Sequence, residues 1–112
     1  MAKVKINGVT FWEPQLSNVS RKARIGEGTI IHAGVHIHDE VKIGKRCKVQ
    51  ANAFIPNGVE VEDDVFIGPG VNFANDPKLD AFSSDFKPTK TLVEKGARIG
   101  MGANINAGVV IG

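Results

Sequence analysis

An apolar residue recurs at every sixth position from Val19. Ile25, Ile31, Ile37, Ile43, Val49, Ile55, Val61, Ile67 and Phe73 complete a run of ten without a miss. With 42% of the chain hydrophobic, such a run arises by chance about once in a thousand sequences, counting all six registers. Four places after each of the first nine stands a smaller or β-branched residue: Ala23, Thr29, Val35, Val41, Cys47, Ala53, Val59, Val65 and Val71. Two inward positions per hexad, separated by polar residues and glycine, are the pattern of a parallel β-helix. One short strand with one turn buries nothing alone, whereas stacked copies share a continuous core. Thirteen glycines and the lack of a helical window agree with an all-β chain.

The period resumes at Val93, Ile99, Ile105 and Ile111, with Ala97, Ala103 and Val109 in the small positions. The second run is two residues out of step with the first, so a segment of about 76–92 is expected to be extruded between them. The 112 residues therefore read as one β-helix domain, 1–112, with a lead-in over 1–18. The repeat is still running at Val110, Ile111 and Gly112, so further coils and a cap are expected from elsewhere. A net charge of +2 with interspersed signs gives no argument for nucleic acid. No signal-peptide segment and no apolar run of eighteen occurs, so the expectation is a cytoplasmic protein without a membrane span. One cysteine, Cys47, allows neither an internal disulfide nor a cysteine-rich zinc site. It falls in an inward small position, where a thiol acts as a small hydrophobe.

The stretches "ARIGEGTIIHAGVHI", "VEVEDDVFIGPGVNFAND" and "TLVEKGARIGMGANINAGVVIG" resemble the hexapeptide-repeat acyltransferases, and among them the nucleotide-linked amino-sugar N-acetyltransferases. The resemblance runs from about Ala23 to Gly112. It implies a left-handed parallel β-helix, triangular in section, with three hexads per coil and residues eighteen apart stacked at about 4.8 Å. The hand is a rare exception to the crossover rule. On that geometry the crowded histidines of "IIHAGVHIHD" separate. His32 and His38 take equivalent positions on different faces, and His36 stacks in a column with Asn18, Phe54 and Asn72. They do not assemble a metal site, and no metal is expected.

Within "EDDVFIGPGVNFAND", residues Glu62, Asp63, Val65, Phe66, Gly68, Pro69, Phe73 and Asn75 match the family's run that leads to the extruded loop. The resemblance puts Asn75 at the acyl-transfer centre, with Asp76 and His36 as further catalytic candidates. Set against this, Asn75 is equally suited to a corner ladder over Asn57. "VQAN" is similar to a family glutamine-asparagine run, which makes Gln50 and Asn52 substrate-binding candidates alongside Glu62 and Asp63. The loop arginine that the family carries is replaced by "DPKLDAF". Gly100, Ala103 and Ala107, in "IGMGANINAG", are the candidates for the pantetheine arm.

The implied activity is acetyl transfer from acetyl-CoA to the amino group of a nucleotide-linked 3-amino sugar, in a homotrimer whose groove lies between neighbouring prisms. Two rivals stand beside it. One is O-acetylation on the same fold, which calls for a histidine base near the loop. The other is a non-catalytic scaffold.

Overall fold

The computed structural model describes residues 2–76 and 89–112. Two-residue strands alternate with tight corners. Coil 1 contains β2 (Val9–Trp12), β3 (Asn18–Val19) and β4 (Arg24–Ile25). Coil 2 holds β5 (Ile30–Ile31), β6 (His36–Ile37) and β7 (Lys42–Ile43), and coil 3 holds β8 (Lys48–Val49), β9 (Phe54–Ile55) and β10 (Val59–Val61). Coil 4 is built from β11 (Phe66–Ile67), β12 (Asn72–Phe73) and β13 (Thr91–Val93). Coil 5 is built from β14 (Arg98–Ile99), β15 (Asn104–Ile105) and β16 (Val110–Ile111). The first strand of every coil joins sheet A, the second sheet B and the third sheet C, all in parallel register. The protein is thus an all-β parallel β-helix.

The six-residue period has a backbone cause. At the third place after most large inward residues (not after Val19 or after Phe73, where the insertion begins), the chain turns a corner through a residue with positive φ. From Gly28 to Gly108, Asp76 apart, this position is glycine, or Glu40, Arg46, Asn52 and Asp64 with φ between 55 and 65°. Glycine enters that region without the steric cost other residues bear, which accounts for much of the glycine content. The inward side chains close one core: Ile31, Val35, Val49, Ile55, Ile67, Val71 and Val93 are fully buried. Fully burying an aliphatic side chain of this size contributes about 1.5–3 kcal/mol. Cys47 is buried in its inward slot, its Sγ 3.1 Å from the Glu62 carbonyl.

Two expected boundaries shift. Residues 1–18 are not merely a lead-in, because β2 already pairs in parallel with β5, Phe11 opposite Ile31. Ahead of it, β1 (Lys3–Ile6) folds back antiparallel on β2 through Asn7 and Gly8, with φ of 50 and 79°. The extruded segment returns before Leu92: Thr91 and Leu92 belong to β13, Thr91 opposite Val59 and Val93 opposite Val61. Thr91 is drawn in because it fills the small inward position, and its Oγ1 accepts a hydrogen bond from the Gly108 N–H at 3.0 Å. The middle of the expected loop, 77–88, lies outside the described residues. Among the described residues no helix is long and apolar enough to cross a membrane.

Candidate functional site

The candidate residues rise from all three edges of the prism. Asn75 and Asp76 follow β12 on the edge between sheets B and C, and both are half-buried. The Asn75 side-chain amide donates to the Asn57 carbonyl at 3.0 Å, and its own carbonyl accepts from the Thr89 N–H at 3.0 Å. Asn75 therefore sits where the insertion leaves and re-enters the coil. In the β12–β15 register, Phe73 lies under Ile105, so Ala107 falls above Asn75 on the same edge. These three are the part of the expected set that the fold brings together.

Gln50 and Asn52 occupy the edge between sheets A and B. Above them come Gly68, Pro69 and Gly70, then Gly100, Met101 and Gly102, because β8, β11 and β14 stack in register. Asn52 turns its corner at φ 65° and its Oδ1 fills the space beside Gly34. A Cβ built at Gly70, beneath coil 5, would meet no atom within 4 Å, so this edge presents open backbone at coil 4. Ala103, one step further on, is half-buried and packs against the core.

Glu62 and Asp63 stand on the third edge, between sheets C and A. Glu62 Oε1 accepts from the Lys95 N–H at 3.0 Å and Asp63 Oδ1 from the Lys45 N–H at 2.8 Å. Arg46 forks onto Asp64 at 2.8 and 3.2 Å and reaches Asp63 at 3.9 Å. The guanidinium holds the Asp64 carboxyl below its ordinary range, its hydrogen bond being the largest cause. These carboxylates fasten one coil to the next, and they are an edge away from Asn75 in the same chain. A shallow groove of about 550 Å³ runs beside them on sheet C, past Lys42, Gly44 and Glu60.

His36 is exposed at the centre of sheet B, stacked between Asn18 and Phe54, with Asn72 above Phe54. Two rungs, about 9–10 Å of rise, separate it from the coil of Asn75, so the two do not meet within one chain. His38 lies edge-on to the Phe54 ring at 5.1 Å. His32 is half-buried on edge AB under Gln50; burial first, and Lys48 second, push its imidazole below the usual histidine value. Ser17 supports this edge from coil 1: its Oγ donates to the His32 carbonyl and accepts from the Val35 N–H, both at 3.3 Å. The sequence reading passed over Ser17, although counting eighteen back from Val35 reaches it.

A charge-poor edge of exposed backbone, and an opposite edge marked by an amide at the root of an insertion, suit holding and orienting a ligand. The fold and these edges together define a hexapeptide-repeat β-helix. Residues 22–57 and 41–75 match the bacterial transferase hexapeptide family (six repeats), and the repeat of this chain is that family's. The bifunctional protein GlmU of Geotalea uraniireducens is 34% identical over 80 residues, 57% of this chain and 18% of the relative. GlmU of Thermodesulfovibrio yellowstonii is 32% identical over 98 residues, 83% of this chain and 21% of the relative. The chain thus spans about a fifth of the length of these curated relatives. Among solved structures, the acetyltransferase domain of PglB from Neisseria gonorrhoeae shares the fold with a TM-score of 0.58 at 18% identity, over 95% of this chain and 50% of that one. Perosamine N-acetyltransferase from Caulobacter crescentus, in complex with CoA and GDP-perosamine, aligns with a TM-score of 0.52 at 22% identity, over 87% and 45%.

Proposed function

We propose that this chain transfers an acetyl group from acetyl-CoA to the amino group of a nucleotide-linked amino sugar, as a cytoplasmic homotrimer. The observation that carries the reading is Asn75, which presents a side-chain amide where the insertion springs from the β-helix. Perosamine N-acetyltransferase, which shares the fold, binds CoA and GDP-perosamine, and this likeness supports the same reaction class. Gly100 and Gly102 would let the slender pantetheine arm pass along edge AB, since neither carries a side chain.

The chemistry asks little of the protein. The lone pair of the neutral amine attacks the thioester carbon, the C–N bond forms, the C–S bond breaks and the thiolate leaves. An amine of pKa about 8 is partly neutral at physiological pH. The leaving thiolate takes the proton that the amine gives up. Asn75 orients the amine, and backbone N–H groups of the glycine-rich corners hold the developing oxyanion, each such donor supplying about 3 kcal/mol. His36 and Asp76 are helpers in this reading, and Gln50 and Asn52 bind the acceptor.

The test is free-thiol release from acetyl-CoA with a panel of nucleotide-linked 3-amino and 4-amino sugars, together with calorimetric titration of CoA. Thiol release that needs the amino sugar supports the proposal. Turnover with hydroxyl acceptors only would make it an O-acetyltransferase, and absence of CoA binding would leave a scaffold.

A further inference from the structure

The lower end of the prism is built differently from its coils. Sheet A carries β1 below β2, whereas among the described residues sheets B and C reach down only to β3 and β4. β1 therefore hangs below coil 1 as a lone strand, exposed along all four residues. Its register sets Val4 opposite Phe11 and Ile6 opposite Val9 on the core side, and Lys3 opposite Trp12 and Lys5 opposite Thr10 on the outer side. Val4 and Ile6 stay 40% and 54% exposed, with no described strand of sheet B or C at their level. Beside them opens an apolar mouth of about 530 Å³, lined by Ile6, Val9, Phe11, Val19, Ala23 and Ile25, with exposed Arg21 also on its wall. The main chain of β1 is only half used. The Thr10 N–H donates to the Thr29 carbonyl and the Glu13 N–H to the Ala2 carbonyl. By the alternation of an antiparallel pair, Ala2, Val4 and Ile6 then bond to β2, and the N–H and C=O groups of Lys3 and Lys5 point to the free side. Charge is sided too: residues 1–25 hold five basic side chains and one acidic, a net +4 in a chain of net +2.

We propose that this end is a strand-addition site: an extended segment of a partner protein, alternating apolar and acidic residues, pairs antiparallel with the free side of β1. Directly opposite residues of an antiparallel pair share a face. The segment's apolar residues therefore turn toward the mouth beside Val4 and Ile6, while its carboxylates lie beside Lys3 and Lys5. Main-chain bonds to Lys3 and Lys5 give affinity, and the alternating side chains give specificity. The occupant is not a second copy of this chain. Only Lys3 and Lys5 offer main-chain groups on that side, so β1 against another β1 sets lysine opposite lysine, and like charges so placed destabilise the pair. Val59–Glu62 carries the apolar–acidic pattern, but in a folded copy Val59 and Val61 are 1% and 2% exposed within β10. The basic excess at this end attracts an acidic partner and repels a basic one. The site lies at and below coil 1, far from the coils of Asn75 and Gly100, and stands apart from the acetyl-transfer reading.

The test is titration with an extended peptide of alternating valine and glutamate, followed by anisotropy of the labelled peptide and by the emission of Trp12. Trp12 is the single tryptophan, and the Lys3 Nζ lies 5.4 Å from its ring centroid. Saturable binding is expected, and none with the same peptide carrying lysine in place of glutamate. Lys5→Pro removes an outward N–H and leaves the hydrogen bonds between β1 and β2 in place. It should keep the melting temperature and weaken the glutamate peptide about tenfold. A protein with Lys3→Glu and Lys5→Glu together should reverse the preference and take the lysine peptide. No binding of the glutamate peptide, equal binding of the two peptides, or unchanged affinity in Lys5→Pro would overturn the inference. So would light scattering in which Lys5→Pro lowers the mass of the wild type, because a second copy would then hold this side of β1. Acetyl transfer is read separately by thiol release, and neither result bears on the other.

Discussion

Asn75 donates its side-chain amide to the backbone carbonyl of Asn57, 3.0 Å away and one coil below. The acceptor is main chain, so the contact does not need the Asn57 side chain. The pair can therefore separate a structural role of Asn75 from a role in transfer.

Asn75→Ala removes one half-buried hydrogen bond, and the expected loss of stability is about 1 kcal/mol. Turnover is expected to fall on the order of a hundredfold, since tenfold corresponds to about 1.4 kcal/mol of lost transition-state stabilisation. Asn57→Ala keeps the carbonyl and should leave turnover near wild type. Parallel thermal melts and thiol-release assays decide it. Parent-level turnover in Asn75→Ala would reduce the residue to a corner rung.

Gly68 and Gly100 occupy the same place on edge AB in successive coils. A Cβ on Gly68 would lie 2.8 Å from the Met101 nitrogen and 2.9 Å from the Ile99 oxygen, both main chain. The coils would have to part, and Gly68→Ala should cost about 1–3 kcal/mol. Gly100→Ala should weaken CoA binding if the pantetheine arm passes there. Thermal melts read the first difference, and calorimetric titration of CoA reads the second.

Thr29 is fully buried in an otherwise apolar stack. Its hydroxyl accepts from the Cys47 N–H at 3.1 Å and donates to the Gly44 carbonyl at 2.8 Å. Thr29→Val keeps the shape but strands both main-chain groups, and an unsatisfied buried group costs about 1–3 kcal/mol. Urea titration should show a loss of about 2–4 kcal/mol, most of it recovered in Thr29→Ser. A loss below 1 kcal/mol would mean that water reaches this corner.

The fold was legible because its rule is local. Each hexad carries its own inward pair and its own corner residue, so Val19 to Phe73 announce the coil without knowledge of any partner. The His36 column was legible for the same reason, since stacking by eighteen needs only counting. Legibility stopped where the count is interrupted. Thr91 looked like loop because the fourteen extra residues of coil 4 hide its kinship with Val59. The hairpin at Asn7 and Gly8 carried a recognisable turn signal, but it lies ahead of the first periodic residue. Glu62 and Asp63 carry the right residue types, yet only the register shows that they tie coils together an edge away from Asn75. A motif contiguous in sequence is spread around the prism, and proximity along the chain does not translate into proximity at a site.

His32 provides a pH test of edge AB. Burial is the larger cause that lowers its folded value below the ordinary value of about 6.5, and Lys48 is the smaller. Unfolding releases the imidazole to water, so the unfolded chain binds the proton more tightly. Stability therefore rises with pH between the folded and unfolded values: the contribution is complete above about pH 6.5 and is lost as the pH falls through the window beneath it. Melting temperatures of the wild type from pH 7.5 to 5 should fall more steeply than those of His32→Gln, which has no titrating group at this position. Lys48→Met should make the wild-type fall shallower without abolishing it, because burial remains. Identical profiles for the wild type and His32→Gln would mean that the ring is hydrated in solution and that edge AB is looser than its packing suggests.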